Sequence, residues 1–131
     1  MEPRPVILLD TNYLIQALVE GSAEAEKVFL WSQHEGGDLV TSSVAWYEFL
    51  CGPVEDRELE LALHIVQDPV PFVAEDARGA ARLFNLGGRR RGSLVDCMIA
   101  AVALRLAACL ATANPGDFRR LEPAGLKVVS A

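Results

Sequence analysis

The 131-residue sequence predicts an α/β fold, a three-layer α/β/α domain built on a mainly parallel sheet of about four to five strands. Three observations predict it. Short apolar runs alternate with longer helical segments along the chain, the pattern of a parallel sheet covered by helices. The first run, Val6-Ile7-Leu8-Leu9, is continuous instead of alternating, as expected of a strand buried on both faces. Crossovers between parallel strands are nearly always right-handed, which winds the helices onto both sides of the sheet.

The elements follow in order. After the first strand a helix is expected from about Tyr13 to Glu20, stopped by Gly21. Ser22 is placed to cap the next helix, which ends near Gly36-Gly37. Asp38 to Ser42 reads as the second strand, and Ser42 or Ser43 caps a helix through Leu50 that Gly52-Pro53 terminates. Glu55 to Gln67 is amphipathic, with Leu59, Leu63 and Val66 on one stripe. Val70 to Val73 is a strand candidate weakened by Pro71. Asp76 to Leu86 and Ser93 to Ala107 read as helices, Cys109 to Thr112 as a buried strand and Lys127 to Ser130 as the last one, with a helix between these two strands. No repeat, low-complexity tract or linker interrupts the chain, so residues 1–131 are expected to form one domain.

Composition narrows the function classes. With 51% hydrophobic and 23% charged residues the chain reads as globular and not disordered. Cys51, Cys97 and Cys109 are an odd number, far apart and set among apolar neighbours, which points to buried, reduced cysteines. The apolar stretch after Met1 is only Val6 to Leu9, too short for a signal-peptide core. Cys97 to Ala111 contains Arg105 and falls short of the roughly 20 residues of a membrane span. A cytoplasmic protein with no membrane association is the expectation. The formal net charge of −6 weighs against a nucleic-acid binder. Against that stand two local basic clusters, Arg89-Arg90-Arg91 and Arg119-Arg120, and the fact that a bound divalent cation reverses the field where it sits.

Ligands of open α/β sheets bind outside the carboxyl ends of the strands. Asp10 directly follows the first strand, Glu48 lies in the helix after the second, and Asp117 lies five residues past Thr112. Asp96 joins from the first turn of the helix that leads into the Cys109 strand. Each has a plainer reading. Asp10 could cap a helix, and Glu48 could be the solvent side of one. Ser93-Leu94-Val95-Asp96 has the form of a capping box, and Asp117 could be a turn acid. Jointly, four carboxylates from four segments meeting at one sheet edge would repel one another. A hard cation with oxygen ligands, Mg²⁺ or Mn²⁺, removes that repulsion and suits phosphodiester hydrolysis.

The segments Ile7-Leu8-Leu9-Asp10-Thr11-Asn12, Ser43-Val44-Ala45-Trp46-Tyr47-Glu48, Asp96-Cys97-Met98-Ile99-Ala100-Ala101 and Ala111-Thr112-Ala113-Asn114-Pro115-Gly116-Asp117-Phe118 resemble the four motifs of PIN-domain nucleases. In order, spacing and length the chain is most similar to the VapC-type ribonuclease toxins of VapBC toxin–antitoxin pairs, over nearly the whole stretch from Val6 to Phe118. The resemblance implies a PIN-like fold and a Mg²⁺-dependent endoribonuclease, Mn²⁺ being an alternative ion, with a small cognate antitoxin and a homodimeric state. It assigns Asp10, Glu48, Asp96 and Asp117 to catalysis and metal binding, and Thr11, Thr112 and Asn114 to supporting polar positions.

Arg89, Arg90 and Arg91 precede the Asp96 helix, whose amino end should point at the site. They are assigned to RNA phosphate or to the antitoxin, because the guanidinium fork donates two hydrogen bonds at once. His34 and His64 belong to no metal-spaced motif. Trp31, Trp46, Phe49 and Phe84 are read as core. Three alternatives stay open: a non-catalytic PIN-like module binding RNA or protein, a PIN nuclease of RNA processing, and a phosphatase using Asp10 as nucleophile. The last wants an acid where Asn12 stands.

Overall fold

A computed structural model describes residues 5–33 and 37–130. The apolar run becomes β1 (Val6–Leu9), at the interior of a four-stranded sheet with β2 (Asp38–Val40), β3 (Cys109–Ala111) and β4 (Lys127–Val129). The order is β2-β1-β3-β4 and every pairing is parallel. Register places Ile7 against Leu39 and Cys109, and Leu8 against Val40 and Leu110. Among the described residues six α-helices connect the strands: α1 (Thr11–Ala17), α2 (Ala23–Ser32), α3 (Ser43–Cys51), α4 (Asp56–Val66), α5 (Ala74–Leu86) and α6 (Leu94–Arg105).

Successive strand residues point to opposite faces, and β1 feeds two cores accordingly. Leu8 packs with Leu110, Ala100, Leu83, Phe118 and Leu121 on the α5–α6 side. Ile7 and Leu9 pack with Tyr13, Leu14, Phe49 and Val66 on the other. That double burial is the physical content of the three-layer α/β/α fold the sequence predicts. Alanines let α6 lie close to its neighbours: Ala100 and Ala103 are fully buried, and a Cβ added at Gly79 of α5 would meet the Ala101 Cβ at 3.4 Å.

Side-chain caps set where helices begin. Ser22 and Ser42 each accept a hydrogen bond from the backbone N–H three residues on, satisfying a donor that the first turn leaves orphaned. Ser43 is used differently, accepting from the Phe72 N–H at 3.0 Å. Asp10 caps α1, which therefore starts two residues earlier than expected and ends at Ala17 instead of Glu20.

Several expectations are corrected. The Val70–Val73 segment is no strand: a single bridge joins Val70 to Ser42, and the next residue, Pro71, has no N–H to continue a ladder. The helix expected between the last two strands is a pair of 3₁₀ turns, Pro115–Asp117 and Arg119–Ala124. The second helix ends at Ser32; His34 and Gly36 lie outside the described residues. Gly37 has φ +129, and a Cβ there would come within 2.7 Å of the Pro5 carbonyl oxygen, so the entry to β2 requires glycine. Cys97 is buried and Cys109 half-buried, but Cys51 is exposed at the end of α3. Among the described residues no helix is long and apolar enough to cross a membrane.

Candidate active site

The end of β1 is held on three sides. The Asp10 N–H donates to the Ala111 carbonyl at 3.0 Å, which continues the β1–β3 ladder by one residue. The fully buried Thr41 donates through Oγ1 to the Leu9 carbonyl at 2.8 Å. Asp10 itself is 5% exposed, and its Oδ1 accepts from the Tyr13 N–H at 2.8 Å. The capping role is therefore real. It uses one of the two carboxylate oxygens and leaves Oδ2 to accept elsewhere.

Thr112 follows β3 and is fully buried. Its Oγ1 accepts from the Asn114 N–H at 3.0 Å, and it hydrogen-bonds the Asp10 carboxyl. The Asn114 carbonyl in turn accepts from the Asp117 N–H at 3.0 Å. One chain of hydrogen bonds thus runs from Asp10 through Thr112 and Asn114 to the turn that carries Asp117. On the other side, Thr11 Oγ1 donates to Glu48 Oε1 at 2.6 Å, tying α1 to α3. Glu48 is exposed, as a solvent-face glutamate would be, yet its carboxylate is directed to the residue after Asp10.

Asp96 lies in the first turn of α6. The capping box open to it is not made: the Ser93 side chain makes no cap bond and donates instead to the Arg90 carbonyl at 2.6 Å. Burial pushes the Asp96 carboxyl up to about 6, and the charges of Asp117, Asp10 and Glu48 add to that against Arg120. Asp10 is raised too, first by burial; hydrogen bonds from Thr112 and the Tyr13 N–H oppose the rise, and Glu48 and Asp117 reinforce it. The four acids from four segments are therefore within electrostatic reach of one another at the carboxyl edge of the sheet.

Among the described residues, no three His, Cys, Asp or Glu side chains stand, as placed, in a metal-holding group. The donor chemistry nonetheless fits a hard divalent cation. It is all oxygen, four carboxylates with two hydroxyls and an amide at their edge, and such an ion would offset both the burial and the mutual repulsion that raise Asp10 and Asp96.

The structure divides the arginine run. Arg89, with φ +55, turns away to bond Asn85 Oδ1 and to lie over the Phe84 ring, 5.3 Å from its centroid. Arg90 and Arg91 instead join Gly92, Ser93, Asp96, Asp117 and Arg120 around a cavity of about 230 Å³.

The sequence matches the PIN domain family over residues 7–122, a span that contains all four acids and runs from within β1 into the second 3₁₀ turn. The chain belongs to the PIN-domain family. Solved structures share this fold nearly end to end. A chain of VapBC2 from Rickettsia felis, crystallised bound to a DNA fragment from its promoter, is 17% identical with a TM-score of 0.73, covering 96% of this chain and 98% of that one. A toxin–antitoxin complex from Klebsiella pneumoniae gives 24% identity and a TM-score of 0.71, over 94% and 95%. VapBC-1 from nontypeable Haemophilus influenzae gives 22% and 0.70, over 95% and 97%. No curated protein sequence matches the chain.

Two residues of this PIN domain escape a reading by motif. Thr41 holds the end of β1 from a neighbouring strand, a contact no local spacing encodes. Arg120 reaches the acids from the second 3₁₀ turn. The sequence marks it only as half of the Arg119-Arg120 basic pair, three residues after Asp117, with nothing to say which of the two arginines meets the acids.

Proposed function

We propose that this PIN domain is a Mg²⁺- or Mn²⁺-dependent endoribonuclease and the toxin of a toxin–antitoxin pair. One observation carries the reading: four carboxylates from four segments lie within one another's field at the carboxyl edge of the sheet, and their charges add to the rise that burial gives Asp10 and Asp96. Asp10, Glu48, Asp96 and Asp117 would hold the ion. Thr112 and Asn114 set the Asp10 and Asp117 geometry, and Thr11 sets Glu48. Such an ion, when bound, supplies Lewis acidity toward a phosphodiester. The buried β1 end holds Asp10 in place, and the other three carboxylates would close on the ion around it. Arg90 and Arg91, at the cavity beside Asp96, offer guanidinium forks to the RNA backbone.

The toxin role is supported by kinship of fold with chains of the Klebsiella toxin–antitoxin complex and the VapBC complexes. On that reading the partner is a small antitoxin, the active form a cytoplasmic homodimer, and residues 1–131 one functional domain. The test is cleavage of a single-stranded RNA by purified protein. Cutting should require Mg²⁺ or Mn²⁺, stop with a chelator, and fall by at least about 10²-fold in Asp10→Asn and Asp96→Asn, the scale on which removing one preorganised electrostatic group acts. Undiminished cutting in both variants would overturn the proposal. RNA binding without turnover under every metal condition would favour a non-catalytic module.

A further inference from the structure

We infer that Arg120 is the residue that seats the RNA phosphate against the acidic edge, a role that rests on the ribonuclease reading and gives it a specific substrate contact. Four observations converge on this side chain. Its Nη1 donates to the Asp117 carbonyl at 2.5 Å, so the guanidinium is fixed beside the fourth acid. Its Nε is buried and has no hydrogen-bond partner among the described residues. Enclosed beside Gly87, this donor is out of a phosphate's reach, and its unpaired state marks a stem held in place for the head group beyond it.

The third observation is steric. Gly87 caps α5 with φ −81, a backbone any residue adopts, yet a Cβ there would lie 3.1 Å from Arg120 Nε and 3.4 Å from its Cδ. The close passage of the Arg120 stem over this glycine leads the head group to the site. Fourth, the cavity it reaches is mixed in charge: Arg90, Arg91 and Arg120 line the same space of about 230 Å³ as Asp96 and Asp117. The amino end of α6 adds Gly92 and Ser93, where a helix terminus favours anions.

The physical need is plain. In a chain of net charge −6, four clustered acids repel a polyanion before any cation-mediated contact forms. Arg90 and Arg91 sit on the loop ahead of α6. Arg120 comes from another segment, the second 3₁₀ turn, bonded to the carbonyl of Asp117 itself, and so can hold a phosphate oxygen where the acids converge. A guanidinium pinned through one nitrogen keeps further donors for that oxygen.

The experiment uses the full chain in an Asp10→Asn background, which blocks cutting, and a fluorescein-labelled single-stranded RNA read by anisotropy in Mg²⁺. Adding Arg120→Met, which keeps the stem over Gly87, should weaken RNA binding about tenfold or more, the scale of a charge-assisted hydrogen bond. Arg119→Met, an exposed neighbour, should change it less than about twofold, the scale of an exposed charge. Arg120→Lys should recover affinity only in part, because an ammonium lacks the fork. Calorimetric titration of Mn²⁺ into Arg120→Met on the otherwise native chain should show affinity unchanged or tighter, since a nearby positive charge has gone. RNA affinity equal in the Arg120 and Arg119 variants would overturn the inference, as would parallel losses of RNA and Mn²⁺ binding. If the native chain cuts no RNA, the ribonuclease reading fails separately; the anisotropy result still decides whether Arg120 seats phosphate.

Discussion

Thr11 Oγ1 and Glu48 Oε1 stand 2.6 Å apart, although 37 residues separate them in the chain. The contact joins the first turn of α1 to α3, and it is made by the residue that follows Asp10. Two acids that approach the sheet edge from different helices are thereby tied to one piece of backbone. Thr11→Val removes the donor and keeps the shape. Glu48 then loses its anchor while the buried frame around Asp10 is untouched. RNA cleavage should fall about tenfold, near the value of one hydrogen bond to a charged group, and the melting temperature should move by no more than a degree or two. Cleavage equal to that of the native chain would show that Glu48 needs no such tether.

The raised Asp96 carboxyl makes a pH prediction whose sign is opposite to the usual one for a carboxylate. Its folded-state value of about 6 exceeds the ordinary value near 3.9. Between these two pH values the folded chain therefore binds more protons than the unfolded one, and stability falls as pH rises. In chelator, the denaturant midpoint should decline from about pH 4 to pH 6 and then level off with respect to this group. The asparagine variant Asp96→Asn should lose that slope.

Metal binding should reverse the same trend. An ion bound only by the folded chain stabilises it by about 2.7 kcal/mol at one hundred times its dissociation constant. Mn²⁺ should therefore raise the melting temperature at pH 7.5 by several degrees. The rise should shrink as pH drops below about 6, where Asp96 holds a proton. Asp10→Asn and Asp96→Asn should show little of it.

A control for fold without function lies far from the acids. Arg105 Nε and Asp76 Oδ1 form an ion pair of 2.8 Å, Arg105 Nη2 also donates to the Pro71 carbonyl at 2.9 Å, and the Val73 N–H donates to Asp76 Oδ2 at 3.0 Å. Only Asp76 is buried; the Arg105 side chain is 26% exposed, so water can solvate it when its partner is gone. Asp76→Ala should lower unfolding stability by roughly 1–3 kcal/mol, the scale of a lost hydrogen bond to a charged group. Measured well below its melting point, metal-dependent cleavage per folded molecule should stay near native. A stable but inactive Asp76→Ala would tie α5 to the chemistry.

Much of this architecture is legible before any coordinates. A four-residue run without polar alternation, set among helical segments, reads as a doubly buried strand, and the acid that ends it then falls at the sheet edge. Glu48, Asp96 and Asp117 each have a plainer reading alone and stand out only through their joint placement with Asp10. What escapes it is decided by partners distant in sequence. Val70–Val73 has strand-like residues, but Pro71 offers no N–H and Ser43 captures the next one. The capping box at Asp96 is correct in form and unmade in fact, because Ser93 finds the Arg90 carbonyl first. Arg89, Arg90 and Arg91 look like one cluster until a left-handed residue at Arg89 sends the first toward Phe84. Cys51 has apolar neighbours in sequence yet sits at an exposed helix end. Arg120 belongs to the site through a tight turn that the pattern had assigned to a helix.

Diffraction from crystals soaked in Mn²⁺, with data recorded at the manganese absorption edge, bears most directly on the claim that these acids share an ion. The account predicts an anomalous peak at the carboxyl edge of the sheet, within about 2.0–2.4 Å of oxygens from Asp10 and at least one of Asp96 and Asp117. A saturating soak with no peak there, or with manganese bound only elsewhere, would contradict it.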